Sequence, residues 1–585
     1  MTITTQNYVK LALILCLLLL TVYGLFLWQD RLMQSAQHFT SFLTTTQLLA
    51  GDQLTRLSSQ VVVVIVGGVG YDALSGLDLP NIQRLQESGA NALIESRAPS
   101  YNEPSWLALL SGVEPALNMG ARLGAFPNHP FNQQVDTVFH RLQDQDQTIV
   151  FIGTEEWQPL IPQEISVEAT FTPIADGTSD VKIIRAAEDA LDANTFNLMV
   201  LYLGQVNSVG LSKGLNHPDY RQAILQVDHL LGQLQERIDF AQTTVIITSD
   251  HGHIEQGGYG GQDFTVLRQP LIMVGKQIIP GTYSSVDQED IAPTISTLLG
   301  TSIPRANQGR PLLEMIRISN EAEAQAFYSL AQQRLSLTKA YLQFMNSATP
   351  TFSEIEDAGR FFANKNYAGT TELSQLLITQ ATEAQQQATQ SRLSSEKRWR
   401  FVLVIGLGII FGLFVLWHIT SLWLYNFLAA LVVFGSYQGF YLLLGQPYSF
   451  SSVFQIDALW TQTSLVVIGS LLVGGCVYLA LLALQQVNDV RLVLLSSFEW
   501  IFFSMLIFLA NVAYGFWRVG FWITWHFPDM GHLFLYYTAL IQTIWIGMFG
   551  LLVPFIVVLI NFFIQKLIMR YQTRKIINAP TKASV

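Results

Sequence analysis

Cysteine is nearly absent: the chain has two in 585 residues, Cys16 and Cys476, and each falls inside a long apolar run. Cysteines so placed build neither a disulfide framework nor a thiolate metal site. Charge is scarce too, with Asp, Glu, Lys and Arg making up 13% of a chain that is 50% hydrophobic. That balance excludes an ordinary soluble enzyme and requires part of the chain to lie in lipid. Basic clusters are missing outside the C-terminal tail, and the net charge is −11, which argues against nucleic acid as a partner.

The apolar residues that are present are concentrated in zones. Residues 11–28 form a run of bilayer length after Lys10. No small-x-small cleavage site follows, so it reads as a retained anchor and not as a signal peptide. Residues 401–417, 422–444, 464–484, 492–516 and 534–563 are five further spans, about six crossings in all. Lys566, Arg570, Arg574, Lys575 and Lys582 in the tail place the C-terminus in the cytoplasm by the positive-inside rule. An even number of crossings puts the N-terminus there as well, with residues 30–400 outside, the layout of a bacterial inner-membrane protein. The zones are then an anchor (1–30), an outer domain (55–316), a helical connection (317–400), a membrane domain (401–565) and a basic tail (566–585). The segment SEKRWR at 395–400 puts three basic residues on the outer side, which the charge rule does not explain.

In the outer domain, short apolar runs at 61–66, 149–152, 198–203, 245–248 and 271–274 alternate with helical stretches. This is the pattern of an α/β fold, a mostly parallel sheet sandwiched by helices. Ligands in such sheets bind beyond the carboxyl ends of the strands. After residue 317 the texture becomes helical, with a capping box expected at Thr351 to Glu354 and a Gln- and Ala-rich helix over 371–398. These helices read as connectors, with a coiled-coil partner surface as the alternative.

The segments VVVVIVGGVGYDAL, PSYNEPSWLALLSGVEP, LYLGQVNSVGLSKG, VIITSDHGHIEQGGYGG and DIAPTISTLLG follow one another in an order that resembles the alkaline phosphatase superfamily, in its type I phosphodiesterase and nucleotide pyrophosphatase branch. The overall layout is also similar to the ethanolamine phosphate transferases of glycolipid-anchor synthesis. The resemblance implies an alkaline-phosphatase-like fold for the outer domain. It further implies two metal ions, commonly zinc, that clamp a phosphate and activate a Thr or Ser nucleophile.

Laid over this chain, the family pattern finds Asn102 at the nucleophile position and Gly67, Asn207, Leu211 and Tyr259 where metal ligands belong. Only Asp250 and His251 keep the expected residue types, so five of the seven positions are changed. One implied metal site, at Asn207, Leu211 and Tyr259, is abolished. The other, at Gly67, Asn102, Asp250 and His251, keeps half of its ligands, fewer than fix a catalytic zinc. Asp250 and His251 are therefore vestigial ligands. For Asp250 the alternative is a carboxylate that accepts backbone N–H bonds at a strand-to-loop turn.

No cofactor is expected. The alternative is a single divalent ion such as zinc in a site rebuilt from Asp250 and His251 with Glu103, His217, His253 or Glu255, though His217 also reads as the residue that opens a helix before Pro218. Within the membrane domain, Glu499 is expected near the cytoplasmic interface or paired with Arg491, and the aromatic loop 514–533 near the headgroups or against the outer domain. The function expected is that of a membrane-anchored pseudoenzyme, a binding or scaffold subunit, with membrane lipids and other membrane proteins as partners. An active phosphodiesterase or phosphoethanolamine-type transferase is the alternative.

Overall fold

A computed structural model of the chain describes residues 3–44, 46–121, 135–173, 177–259, 263–418, 421–446 and 456–577. Gly260 and Gly261 of the glycine-rich turn and the last residues of the basic tail lie outside these ranges.

The chain opens with α1 (Ile3–Gln37) and enters the outer domain at β1 (Gln60–Val66). There follow α2 (Pro80–Ser88), β2 (Ala90–Glu95), α3 (Asn102–Ser111), α4 (Val138–Gln143), β3 (Ile149–Thr154) and β4 (Val167–Thr172). Next come α5 (Ser179–Ala193), β5 (Leu198–Leu203), α6 (Gln205–Lys213), α7 (Pro218–Arg237), β6 (Thr243–Thr248) and β7 (Arg268–Gly275). The short strands β8 (Gly281–Thr282) and β9 (Val286–Asp287) and the helix α8 (Ile291–Leu299) complete the domain. The sheet has nine strands in the order β4-β3-β5-β1-β6-β7-β2-β8, with β9 also paired to β2.

β1, QVVVVIV, lies between parallel β5 and β6 and is almost wholly buried. Its β-branched run suits a strand covered on both faces. Val61, Val63 and Ile65 pack beneath α3 and α8, while Val62, Val64 and Val66 pack beneath α2, α5 and α7. All five expected strands form. β7 departs from the parallel pattern, pairing antiparallel with both β6 and β2. β2 and β4 escaped sequence reading because ANALIE lacks a β-branched run and β4 is a half-exposed edge strand.

Beyond the domain, α9 (Asn320–Phe344) and α10 (Glu354–Ala363) lead into α11 (Tyr367–His418). The capping box expected at Thr351 does not form: α10 starts one residue after Ser353, which makes no side-chain cap. The helix expected to end near 398 instead continues into the membrane zone, because no proline or capping glycine interrupts its 52 residues. There is accordingly no break at residue 400.

The remaining helices are α12 (Trp423–Leu443), α13 (Ile456–Leu484), α14 (Val490–Val519), α15 (Met530–Gly550) and α16 (Val553–Ile577). Among the described residues six helices, α1 and α12 to α16, are long and apolar enough to cross a membrane. α15 and α16 run in the same direction along α14: Gly550 abuts Ile501, Phe555 meets Phe498 at 5.8 Å, and Asn561 donates to the Val487 carbonyl at 3.0 Å. They form one passage kinked just before Pro554. The apolar end of α11 runs antiparallel to α14, from Arg400 at the Arg518 carbonyl (3.3 Å) to Phe411 beside Phe502 (6.5 Å).

Ile14 and Leu18 of α1 share a cluster with Leu482, Val493 and Val557. At the other end of the bundle Ser35 accepts from the Ile523 N–H at 2.9 Å. The start of the chain and the end of α16 thus lie at one end of the bundle, and the outer domain lies at the other.

Two expectations for the membrane part change in detail. Glu499 is 5% exposed and accepts from Asn426 Nδ2 at 2.9 Å, in a network that continues through Ser496 to Tyr478. It faces the bundle interior, because its side of α14 is turned toward Asn426 of α12. The aromatic loop does meet the outer domain: Trp525 shares a buried cluster with Val113, Leu117 and Ala306, and Ile523 and Phe527 share another with Tyr101 and Ala121.

Candidate functional site

The strand ends converge as the sheet topology requires. The turn after β1 brings Gly67 and Gly68, the turn after β6 brings Ser249 to His253, α6 brings Asn207, and the first turn of α3 brings Asn102. Six of the seven family positions contribute to this cluster through side chains or through the turn after β1; Leu211 contributes its carbonyl, which accepts from the Gly258 N–H at 2.9 Å.

Asp250 is fully buried. Its Oδ1 accepts from the N–H groups of Gly68 (2.9 Å) and His251 (2.8 Å), and its Oδ2 accepts from Trp106 Nε1 (2.7 Å). The carboxylate is therefore bonded as at a strand-to-loop turn, with an indole donor added. His251 is equally buried, its Nδ1 3.0 Å from the Gly252 carbonyl and its Nε2 2.9 Å from the Asn102 amide. Asn102 in turn meets the Asn207 amide at 3.1 Å. Both oxygens of the carboxylate and both nitrogens of the ring are engaged by protein groups.

The position of the first missing ligand is closed sterically. A Cβ built at Gly67 would run into the Tyr202 hydroxyl. Tyr202 is buried against Trp106, ring centres 5.1 Å apart, and Trp106 stacks on Trp157 at 4.4 Å. Such aromatic contacts add about 0.5–1.5 kcal/mol each beyond area burial, so the indole that bonds Asp250 is held firmly in place.

Tyr259 stands edge-on to His251 at 4.8 Å and stacks on His253 at 5.5 Å. Burial, then the charges of Glu103 and Glu156, hold its hydroxyl well above the ordinary phenol range, so it stays protonated and is a poor metal ligand. His253 is 1% exposed; its Nδ1 bonds the Gly258 carbonyl at 3.0 Å and its Nε2 has no partner. Burial, then the neighbouring His251, lowers it to about 3.

Of the residues considered for a rebuilt metal site, His217 is an exposed cap that accepts from the Asp219 N–H, and Glu255 is exposed. Among the described residues no group of three His, Cys, Asp or Glu is arranged to hold a metal ion. The donor set does not fit the two ions that the resemblance implies: Asp250 and His251 are engaged by N–H groups, the Trp106 indole, the Gly252 carbonyl and the Asn102 amide, and Tyr202 fills the side-chain space at Gly67.

Two acidic side chains nearby have surroundings that the motifs did not reveal in full. Glu103, beside Asn102, is pushed up to about 7 by burial first, and by Glu156 and Asp250. Glu156, at the end of β3, is raised to about 7 by burial and by Asp250. Trp106, Tyr202 and Glu156 are the site residues that sequence reading missed. Trp106 stands within the quoted PSYNEPSW segment, and a large aromatic one residue short of the end of β5, opposite a glycine pair, was the available signal for Tyr202. A cavity of about 530 Å³ adjoins the cluster, lined by Asp72, Tyr220, Arg221, His253 and Thr265 among others.

Fold and site together define a phosphodiesterase-like domain seated on a bundle of apolar helices. Residues 125–259 match the family model of type I phosphodiesterase / nucleotide pyrophosphatase. The chain is 29% identical over 190 residues to GPI ethanolamine phosphate transferase 3 of Schizosaccharomyces pombe, covering 30% of this chain and 20% of that one. It is 26% identical over 298 residues to the catalytic subunit of human GPI ethanolamine phosphate transferase 2, covering 45% and 29%. The chain thus spans well under half of these curated relatives. Among solved structures, alkaline phosphatase PafA aligns at 12% identity over 45% of this chain and all of that one, with a TM-score of 0.36.

These matches bear out the superfamily resemblance and the likeness to the transferases, both read from the motifs and layout. The two named relatives are fungal and human, and the bacterial source inferred from the layout gains no support from them.

Proposed function

We propose that this protein is a membrane-anchored, phosphodiesterase-like pseudoenzyme that serves as a binding or scaffold subunit. Its outer domain is extracytoplasmic and both termini are cytoplasmic, in the plasma or inner membrane. The observation that carries this reading is the state of Asp250: both its carboxylate oxygens are engaged, by two backbone N–H groups and the Trp106 indole, with Tyr202 filling the side-chain space at Gly67. An enzyme of merely altered specificity would keep those positions open, because the metals do the chemistry whatever the substrate. The cavity of about 530 Å³ beside His253 gives such a domain room for a ligand.

The test is elemental mass spectrometry on the purified chain after dialysis against a mild chelator, combined with turnover of an aryl phosphodiester under varied metals. Less than about 0.1 equivalent of zinc, manganese, calcium or magnesium, with no turnover, is the expected result for a site short of ligands. A firmly held ion near one per chain together with turnover would overturn the proposal.

One observation favours a second reading, a phosphoethanolamine-type transferase using a single ion. Glu103 and Glu156 are both raised, by burial first and then by neighbouring acids that include Asp250 for each, a concentration of acid that a cation would relieve, and the relatives are named as transferases. On that reading Asp250→Ala and His251→Ala each abolish turnover.

A further inference from the structure

Two cavities meet at Arg518 and His532, at the end of the bundle that faces the outer domain. The inner one, about 240 Å³, lies between α12, α14 and α15, with Tyr437, Tyr441, Tyr514, Leu535 and Gln542 in its lining. The outer one, about 160 Å³, lies between α11 and the aromatic loop, with Lys397, Arg400, Trp522 and Asp529 in its lining. Tyr514 and Leu535 of this lining are 52% and 51% exposed on two helices apolar enough to cross a membrane, so the inner cavity opens on the flank of the bundle, at the acyl layer.

The ionic groups here do not balance. Glu396 is shared by Arg400 (2.6 Å), Arg392 (3.4 Å) and the Trp525 indole (2.9 Å). Asp529 Oδ1 accepts from the backbone and ring of His532, and His532 Nε2 takes an N–H of Arg518 at 2.8 Å. Lys397 lies 5.8 Å from the Trp517 ring centre and pairs with no carboxylate among the described residues. Among the residues that line the two cavities, the acids Glu396 and Asp529 therefore face Lys397, Arg400 and Arg518. Burial, then the guanidinium groups of Arg518 and Arg400, hold the Lys397 ammonium below its ordinary range, as an uncompensated positive field does.

Polar groups left over in both cavities point to an occupant. Asp529 Oδ2 is buried without a partner, an acceptor suited to a headgroup hydroxyl. The buried Tyr437 hydroxyl, beside the Gln542 amide, lacks a well-formed hydrogen bond.

We propose that the joined cavities hold an anionic glycerophospholipid, its phosphate between Lys397 and Arg518 and one acyl chain in the tyrosine-lined cavity. The basic residues of SEKRWR then have a role on the outer side, where the positive-inside rule disfavours them: they meet lipid phosphate at headgroup depth, next to Trp522 and Trp525. This site is separate from the Asp250 cluster and stands whether or not the outer domain turns over substrate.

The test is native mass spectrometry on the full chain in mild detergent, incubated with phosphatidylglycerol, phosphatidylcholine or inorganic phosphate. The expected result is about one retained phosphatidylglycerol per chain that millimolar inorganic phosphate does not displace. Retention falls about fivefold for Lys397→Gln and about fivefold for Arg518→Gln, the scale of one basic side chain at a headgroup surface. It is unchanged for Arg570→Gln at the opposite end of the bundle. Equal retention of phosphatidylcholine, displacement by inorganic phosphate, or indifference to Lys397→Gln would each overturn the proposal. Lys397 sits on the flank of α11, so its variant keeps the test decisive should Arg518→Gln fail to fold.

Discussion

Trp106 decides more about the site than any residue the motifs name, because among the described residues it donates the one side-chain hydrogen bond that the Asp250 carboxylate receives. Trp106→Phe keeps most of the ring and removes the donor, leaving a buried carboxylate short of a partner. The expected cost is about 1–3 kcal/mol, seen as a lower denaturant midpoint of the full chain. Gly67→Ala pushes a methyl group into the Tyr202 hydroxyl and costs about 1–3 kcal/mol by overpacking. The variant to compare is Gly67→Ala with Tyr202→Phe, which regains part of that loss.

Titration at the site has two opposite signs. His253 is lowered from 6.5 to about 3 on folding, so the unfolded chain takes up its proton first. Its contribution is present above about pH 6.5 and is lost as the pH falls toward 3. Glu103 is raised from 4.5 to about 7, so its contribution is present below about pH 4.5 and is lost as the pH rises through 7. Glu103→Gln is therefore expected to raise the melting temperature clearly at pH 8 and hardly at pH 5, whereas His253→Asn flattens the acid-side decline.

At the scale of elements, the strands were legible and the membrane helices were legible with different joints. Continuous runs such as VVVVIV and LMVLYL announce buried strands by composition alone. α11 hid its length because its Gln- and Ala-rich half and its apolar half read as two zones, although nothing between them stops a helix. Glu499 is an element-scale feature, tying α14 to α12 through Asn426. Glu499→Ala strands the Asn426 amide and is expected to lower the melting temperature in detergent, while Glu499→Gln, which keeps an acceptor, has a smaller effect.

For the molecule as a whole, the packing of the helices puts the start of α1 and the end of α16 at one end of the bundle and the sheet domain at the other. Single cysteines introduced at Asp72 and Thr573, in a chain with Cys16 and Cys476 replaced by serine, should react from opposite sides of sealed vesicles with an impermeant maleimide. Labelling of both from the same side would contradict the six-passage arrangement.

What the residues fixed before folding was chemical: which elements are apolar enough for lipid or for a sheet interior, and that Asn102, Leu211 and Tyr259 are an amide, a hydrocarbon and a phenol. Those are properties of residue types and hold before folding. What only the tertiary structure decided was occupancy of space. Tyr202 fills the room beside Gly67, the Trp106 indole caps Asp250, and Lys397 and Arg518, far apart in the chain, line one cavity. These contacts join residues from separate elements, and their geometry is set by close packing of the whole interior, which no local pattern encodes.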